Sequence, residues 1–148
     1  MKFLFLFIII FAILSCRSSV DRTKEIEKNM QHYGDLLLRL EADSLADCFT
    51  ADGELSGEGQ KPVIGQDSIR KVFKSFAGAH MLEYKITMKP TLFKSDTGVQ
   101  EGSYFQKVII PQGDTLELGG EYSTKWIEVD NKWLLKRMYT FGYKNLKK

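Results

Sequence analysis

The stretch GGEYSTKWIEVDNKWLLKRMYTF, residues 119–141, holds two aromatic-rich apolar runs joined by Asp130-Asn131. Asp and Asn tolerate positive φ better than other non-glycine residues, so this pair predicts a two-residue hairpin loop. That loop sets Glu128 opposite Trp133, Trp126 opposite Leu135, Thr124 opposite Arg137 and Tyr122 opposite Tyr139. Upstream, Pro111-Gln112-Gly113 predicts a second turn, which sets Gly120 opposite Tyr104 and Tyr122 opposite Gly102. Side chains alternate between faces along a strand. One face therefore collects Gln100, Gly102, Tyr104, Gln106, Val108, Leu116, Leu118, Gly120, Tyr122, Thr124, Trp126, Trp133, Leu135, Arg137, Tyr139 and Phe141. The other collects Glu101, Ser103, Lys107, Glu117, Glu121, Ser123, Lys125 and Lys136 with a few apolar residues. The first is expected to face the core.

Outward from this hairpin, Leu82, Tyr84, Ile86, Met88, Pro90 and Leu92 alternate with Glu83, Lys85, Thr87, Lys89 and Thr91, a period-two strand pattern. Pro90 cannot donate to a ladder, which implies an edge strand or a bulge. A turn is expected near Ser95-Asp96-Thr97-Gly98. The first half of the chain reads differently. Ile26, Met30, Tyr33, Leu37 and Leu40, widened by Leu36, recur at helical spacing. Asp43 or Ser44 is expected to cap a second, short helix with Leu45, Cys48 and Phe49 inside, ended by a turn at Ala51-Asp52-Gly53. The Gly-rich stretch 54–64 predicts two short strands or a loop. Gly65-Gln66-Asp67-Ser68 opens a third helix with Ile69, Val72, Phe73 and Phe76 on its stripe and Gly78 as its stop. Three helices, a strand pair between the second and third, and a four-stranded antiparallel meander make an α+β domain with one sheet face packed on the helices.

The inner face also carries Gln100, Tyr104, Tyr122, Thr124, Arg137 and Tyr139. Burying such groups unpaired costs about a few kcal/mol each, and a charge costs more. Either they satisfy one another in a polar network, or they line a cavity of the aromatic, sparsely polar kind that takes small molecules. An inner-face Arg137 wants a carboxylate, from Glu41, Asp52, Glu54 or a ligand anion. Asp52 is also a candidate pocket base, although an Asp before Gly in a turn commonly caps its own backbone.

The chain opens with Lys2 and an uninterrupted apolar run of twelve, residues 3–14. That is short of the about 20 residues a membrane-spanning helix takes, and it suits the apolar part of a secretory signal peptide. Ile13-Leu14-Ser15-Cys16 resembles the bacterial lipobox, although Leu14 is bulkier than that motif's usual second residue. The resemblance implies cleavage before Cys16, lipid on its thiol, and a bacterial cell-envelope protein. An ordinary signal peptide and an uncleaved anchor helix are the alternatives. Residues 1–15 are thus expected to be a lipoprotein signal peptide, 16–23 a tether, 24–143 the domain and 144–148 a basic tail. The absence of Asp after Cys16 favours the outer membrane, facing the periplasm. The chain of 148 residues has net charge +2 and two cysteines, Cys16 and Cys48. No basic run suggests nucleic acid, and with Cys16 in the leader or lipidated no intrachain disulfide is available.

Several segments together resemble nuclear transport factor 2-like (SnoaL-like) domains. Residues 42–53, ADSLADCFTADG, are similar to that family's helix-and-turn segment, and 62–69, PVIGQDSI, to its following helix start. Gly102-Ser103-Tyr104, the run 120–126 and the run 130–135 are similar to its last three strands. The resemblance spans roughly residues 24–141. It implies a cone: a curved sheet of four to six antiparallel strands wrapped around three helices, with a pocket at the open end. The family includes cyclases, ketosteroid isomerases, dehydratases and catalytically silent binding or dimerisation modules, so fold does not give function. The isomerase's general base would fall on Glu58, which sits between Gly57 and Gly59 with the rest of that motif missing. Tyr33 lies on the helix that carries the isomerase's tyrosine, about one residue out of register, and no matching inner-face aspartate follows.

The histidines, His32 and His80, are far apart in the sequence, and Cys48 has no basic neighbour, so neither metal nor cofactor is expected and Cys48 reads as a core residue. The reading that follows is a lipid-anchored envelope domain, non-catalytic, binding a small amphipathic molecule or a protein partner in the cone. Tyr104, Tyr122, Thr124, Arg137, Tyr139, Gln100 and Asp52 are its expected pocket residues. The alternative is an isomerase, cyclase or hydrolase using the same pocket. A homodimer through the outer sheet face, with Phe105, Ile109, Ile127, Leu134 and Met138, is a third possibility.

Overall fold

The computed structural model describes residues 19–146. The expected signal peptide and the expected lipidation site, Cys16, lie outside these residues. Helix α1 spans Ser19–Arg39, so it already begins within the stretch expected to be a tether. Its stripe of Ile26, Met30, Tyr33 and Leu36 is buried. Leu40, just past the helix, has φ 51°. Helix α2 (Ala42–Asp47) follows, and β1 (Phe49–Gly57) and β2 (Val63–Ile64) form the strand pair before α3 (Gln66–Lys74). Arg70 of α3 reaches Asp43 at 3.0 Å and Asp47 at 3.1 Å on α2 and also pairs with Asp67, which ties the two helices together.

The meander comprises β3 (His80–Met88), β4 (Leu92–Lys94), β5 (Thr97–Ile109), β6 (Thr115–Val129) and β7 (Lys132–Asn145). β4 continues the edge strand past the break at Pro90, and both β3 and β4 pair with β5. The sheet is a curved, unclosed one of seven strands in the order β2-β1-β7-β6-β5-β3. The α+β architecture with three helices is the one expected. The sheet is mixed rather than wholly antiparallel, because β1 runs parallel to β7 from Phe49↔Leu135 to Gly57↔Thr140. A parallel pair needs a crossover instead of a tight turn. Here the crossover is everything from β2 to β6, which no local pattern announces.

The two turns that fixed the sequence register behave as expected. Asp130 and Asn131 have φ of 49° and 61°, and Gly120 faces Tyr104 while Tyr122 faces Gly102. Glu128↔Trp133 and Trp126↔Leu135 also hold. The next step fails. Lys125 pairs with Arg137 and Thr124 with Met138, so Lys136 is an extra residue in β7, a bulge. A one-residue slip turns every later side chain to the other face. Met138 and Thr140 therefore point into the cone, and Arg137, Tyr139 and Phe141 do not. Tyr139 and Phe141 instead stack on each other, centroids 5.5 Å apart.

The core joins the α1 stripe, Leu45, Ala46, Phe49, Ile69 and Phe73 to Tyr122, Trp126, Trp133, Leu135 and Met138. Trp126 is 1 % exposed, and truncating an aromatic so placed costs about 3–5 kcal/mol.

Candidate binding pocket

Two glycines shape the concave face. A Cβ on Gly102 would lie 2.6 Å from the Tyr122 hydroxyl and 2.1 Å from the Thr87 carbonyl oxygen. A Cβ on Gly120 would lie 2.9 Å from the Tyr104 hydroxyl. Each phenol thus lies across the strand opposite, over a residue that has no side chain. On α1, Gly34 plays the same part for Tyr84, whose ring would be 3.2 Å from an added Cβ.

These rings enclose a cavity of about 250 Å³ at the wide end of the cone. Its walls are Tyr33 and Leu37 of α1, Leu55, Ser56 and Gly57 of β1, Gln60, Val63, Val72, Phe73, Phe76, Tyr84, Tyr104, Gln106, Tyr122, Met138 and Thr140. Four phenols, two carboxamides and two hydroxyls are the polar groups; no carboxylate, imidazole, thiol or ammonium is among the lining residues. Burial holds all four phenols above their ordinary range, with Tyr122 pushed up to about 12. They are neutral donors at any physiological pH. Tyr122 is 1 % exposed, and its hydroxyl has no hydrogen-bond partner.

Of the seven expected pocket residues, the structure brings together Tyr104 and Tyr122. Thr124 and Gln100 are buried elsewhere, in a network within the core. The Trp126 indole donates to Thr124 Oγ1 at 2.9 Å, Thr124 donates to the Gln100 carbonyl at 2.9 Å, and the Gln100 amide donates to Thr91 Oγ1 at 3.3 Å. The bulge at Lys136 removes Arg137, which is exposed, and Tyr139. An outward Arg137 needs no buried carboxylate. Asp52 is exposed on β1 and binds Lys136 Nζ at 2.5 Å, while Thr50 donates to it at 3.0 Å. The hydrogen bond from Lys136, then the one from Thr50, hold its carboxyl below the usual range. It is no pocket base. Met138, expected on the outer face, is buried in the core, which leaves Phe105, Ile109, Ile127 and Leu134 half-buried there.

Glu58 is also outside the cavity. Its carboxylate accepts the Gly142 amide at 2.9 Å and its own amide donates to the Thr140 carbonyl at 2.8 Å, so it ties β1 to β7. Cys48 is half-buried, its thiol 3.4 Å from the Ser44 carbonyl and pushed up to about 11 by burial and then by Asp47. Among the described residues no group of three or more His, Cys, Asp or Glu stands together as a metal site.

A curved, unclosed mixed sheet with three helices is the cone architecture of the nuclear transport factor 2-like class. The SnoaL-like domain profile matches residues 18–139, and the chain belongs to that family. No curated protein sequence matches it. Solved structures share its fold. A ketosteroid isomerase-like protein from Erwinia carotovora atroseptica is 16 % identical with TM-score 0.74, the match covering 86 % of this chain and 98 % of that one. A conserved protein from Planctomyces limnophilus is 14 % identical with TM-score 0.76, covering 87 % and 100 %. Aln2 from a Streptomyces species is 15 % identical with TM-score 0.72, covering 84 % and 92 %.

Proposed function

We propose that this is a lipid-anchored cell-envelope protein that binds a small, uncharged, amphipathic molecule in the cone pocket without transforming it. The observation that carries the reading is the Tyr122 hydroxyl, buried and unpaired in the wall of an otherwise largely apolar cavity. A buried polar group left without a partner costs about 1–3 kcal/mol, and a ligand oxygen at that position removes the cost. An apolar cavity of about 150 Å³ takes one benzene ring. One of about 250 Å³ suits a body of one or two rings, or an equivalent aliphatic.

The absence of a lining group that titrates near neutrality supports binding over turnover. General acid–base catalysis works best with a pKa near the operating pH, and these phenols are held far above it. The absence of a lining charge favours a neutral ligand. Anchoring rests on the apolar run 3–14 and the sequence Ile13-Leu14-Ser15-Cys16. With lipid on Cys16 the domain would stand close to the membrane, on the periplasmic side of the outer membrane in this reading.

Native mass spectrometry of the full chain, extracted from its own envelope in neutral detergent, tests all of this. The expected result is a defined extra mass, chemically identical to the compound free in the extract, that is lost in Tyr122→Phe/Tyr104→Ala. A clean mass with no gain on adding envelope extract overturns binding, and a retained product of altered mass overturns the non-catalytic reading. The N-terminal peptide should carry a diacylglyceryl mass that Cys16→Ala abolishes.

A further inference from the structure

The narrow end of the cone gathers three segments. Arg22, near the start of α1, donates to the Ser95 carbonyl at 3.1 Å and lies 4.5 Å over the Phe93 ring. Phe93 in turn meets Trp133 edge-on, centroids 5.8 Å apart. The start of α1, the β4–β5 turn and the β6–β7 hairpin therefore sit together.

On the convex face of this end, the strand register sets aliphatic residues beside lysines. Leu92 pairs with Val99, and Val99 with Lys125. Thr97 pairs with Lys94 and with Ile127, and Ile127 with Leu134. Val129 pairs with Lys132. Directly opposed residues share a face, and this one is opposite to the face of Gln100, Trp126 and Trp133, which are buried. Leu92 is 72 % exposed, Val99 36 % and Val129 38 %. Lys94, Lys125 and Lys132 enter no ion pair among the described residues. The nearest carboxylates of the meander are off this patch. Asp96 and Asp130 lie in the two turns, Glu128 pairs with Trp133 on the concave side, and Glu101, one row further on, is held by Lys89 at 3.5 Å.

Exposed aliphatic side chains interleaved with unpaired lysines suit the surface of an anionic bilayer. The apolar groups enter the headgroup boundary, and the ammonium groups stay among the lipid phosphates. A second copy suits the patch poorly, since a two-fold axis through it brings lysine against lysine. The chain also brings a bilayer within reach. Helix α1 starts at Ser19, three residues past Cys16, a span of about 10 Å when fully extended.

We infer that the convex face of the narrow end docks on the anionic membrane to which the chain is anchored. This rests on the membrane anchor proposed above, and holds whether that anchor is lipid on Cys16 or the uncleaved apolar run. The cone pocket opens at the other end, where Leu37 lies about 25 Å along α1 from Val20. Its ligand is then exchanged on the aqueous side, not with the anchoring bilayer.

The test places the full chain, purified from its own envelope, in vesicles of phosphatidylethanolamine and phosphatidylglycerol with brominated acyl chains. Bromine quenches tryptophan emission only at short range. The native tryptophans, 1 % and 3 % exposed, give the background. A reporter is added by Leu92→Trp on the docked face, or by Tyr143→Trp at the far end, where the side chain is 58 % exposed. Emission from position 92 should fall about twofold against unbrominated vesicles, as expected for a side chain in the headgroup boundary, and emission from position 143 should not. With Lys94→Gln/Lys125→Gln/Lys132→Gln the docked-to-free ratio should fall about 100-fold, each lysine at an anionic surface being worth about fivefold. An unchanged near-ultraviolet dichroism spectrum verifies the fold of each variant. No quenching at position 92, equal quenching at both positions, or quenching indifferent to the lysines overturns the docking. So does a protein that crosslinks as dimers with position 92 shielded from acrylamide but unquenched, which assigns the face to a second copy. The mass of the N-terminal peptide separates the two readings. Quenching at position 92 without a diacylglyceryl mass keeps the docking and fails the lipid, and the mass without quenching does the reverse.

Discussion

The Tyr122 ring crosses the neighbouring strand directly over Gly102, where a Cβ would stand 2.6 Å from the phenol oxygen. An aromatic residue opposite glycine fills space that two side chains would contest, and the pair sets the depth of the cone pocket. Gly102→Ala therefore has to move both Tyr122 and the Thr87 carbonyl, the latter 2.1 Å from the new methyl. Overpacking of this kind costs about 1–3 kcal/mol. Urea unfolding should show that loss, and native mass spectrometry the loss of any ligand bound in the cone pocket. Unaltered stability would mean the two strands are free to separate.

Thr124→Val tests the reassignment of Thr124 from pocket to core network. Valine keeps the shape but leaves the Trp126 indole N–H and the Gln100 carbonyl without their present partner. Orphaning a buried group costs about 1–3 kcal/mol. Thermal unfolding should show a loss in this range while the affinity of the cone pocket is unchanged. A large affinity loss at unchanged stability would place Thr124 back in the pocket.

The four cavity phenols predict a one-sided alkaline limit to stability. A tyrosine in the unfolded chain ionises near pH 10. Tyr122 holds its proton to about 12 in the fold, and Tyr33, Tyr84 and Tyr104 are raised as well. Above pH 10 the folded state thus binds more protons than the unfolded one, and stability must fall as pH rises. Below pH 10 these groups contribute their full stability. Urea midpoints measured from pH 8 upward should be flat for this contribution to about 10 and then decline toward 12. Tyr122→Phe should make the decline shallower, and an unchanged slope would contradict the burial of its hydroxyl.

Deletion of Lys136 tests the bulge. Without the extra residue, Thr124 would again face Arg137, and an unpaired guanidinium would enter the core in place of Met138. Burying an uncompensated charge is among the most destabilising changes known. The deletion variant should be insoluble or lack a near-ultraviolet dichroism signal. Lys136→Ala keeps the residue count and should fold normally, losing only the exposed contact to Asp52.

The same bulge marks where the sequence stopped being legible. Asp130-Asn131 and Pro111-Gln112-Gly113 carry their turn chemistry in their own side chains and backbone preferences, so pairing could be counted from them. The count held through Trp126↔Leu135 and failed one step later. Lys136 looks like any other outward lysine in KWLLKRMY, and what fixes it is Asp52, distant in sequence, through its carboxylate at 2.5 Å. Arg137 and Tyr139 went astray for that reason. Gln100 and Thr124 were on the correct face, but face alone does not separate the pocket end of a strand from the end filled by Trp126. Tyr84 was visible in the alternation of residues 82–92, and its place in the cavity depends on Gly34, a helical glycine with no local signal for its role.

The parallel seam between β1 and β7 bears on how the molecule is made. Its register joins Glu54 to Arg137 and Leu55 to Met138, residues far apart in the chain, and such non-local pairing slows folding. Met138 and Thr140 belong to β7, which follows every other wall element in chain order, so the cavity cannot close until β7 has been made. Until then the tyrosines of α1, β3, β5 and β6 face an open trough. Any ligand or chaperone with affinity for this trough would meet it before its final wall is in place.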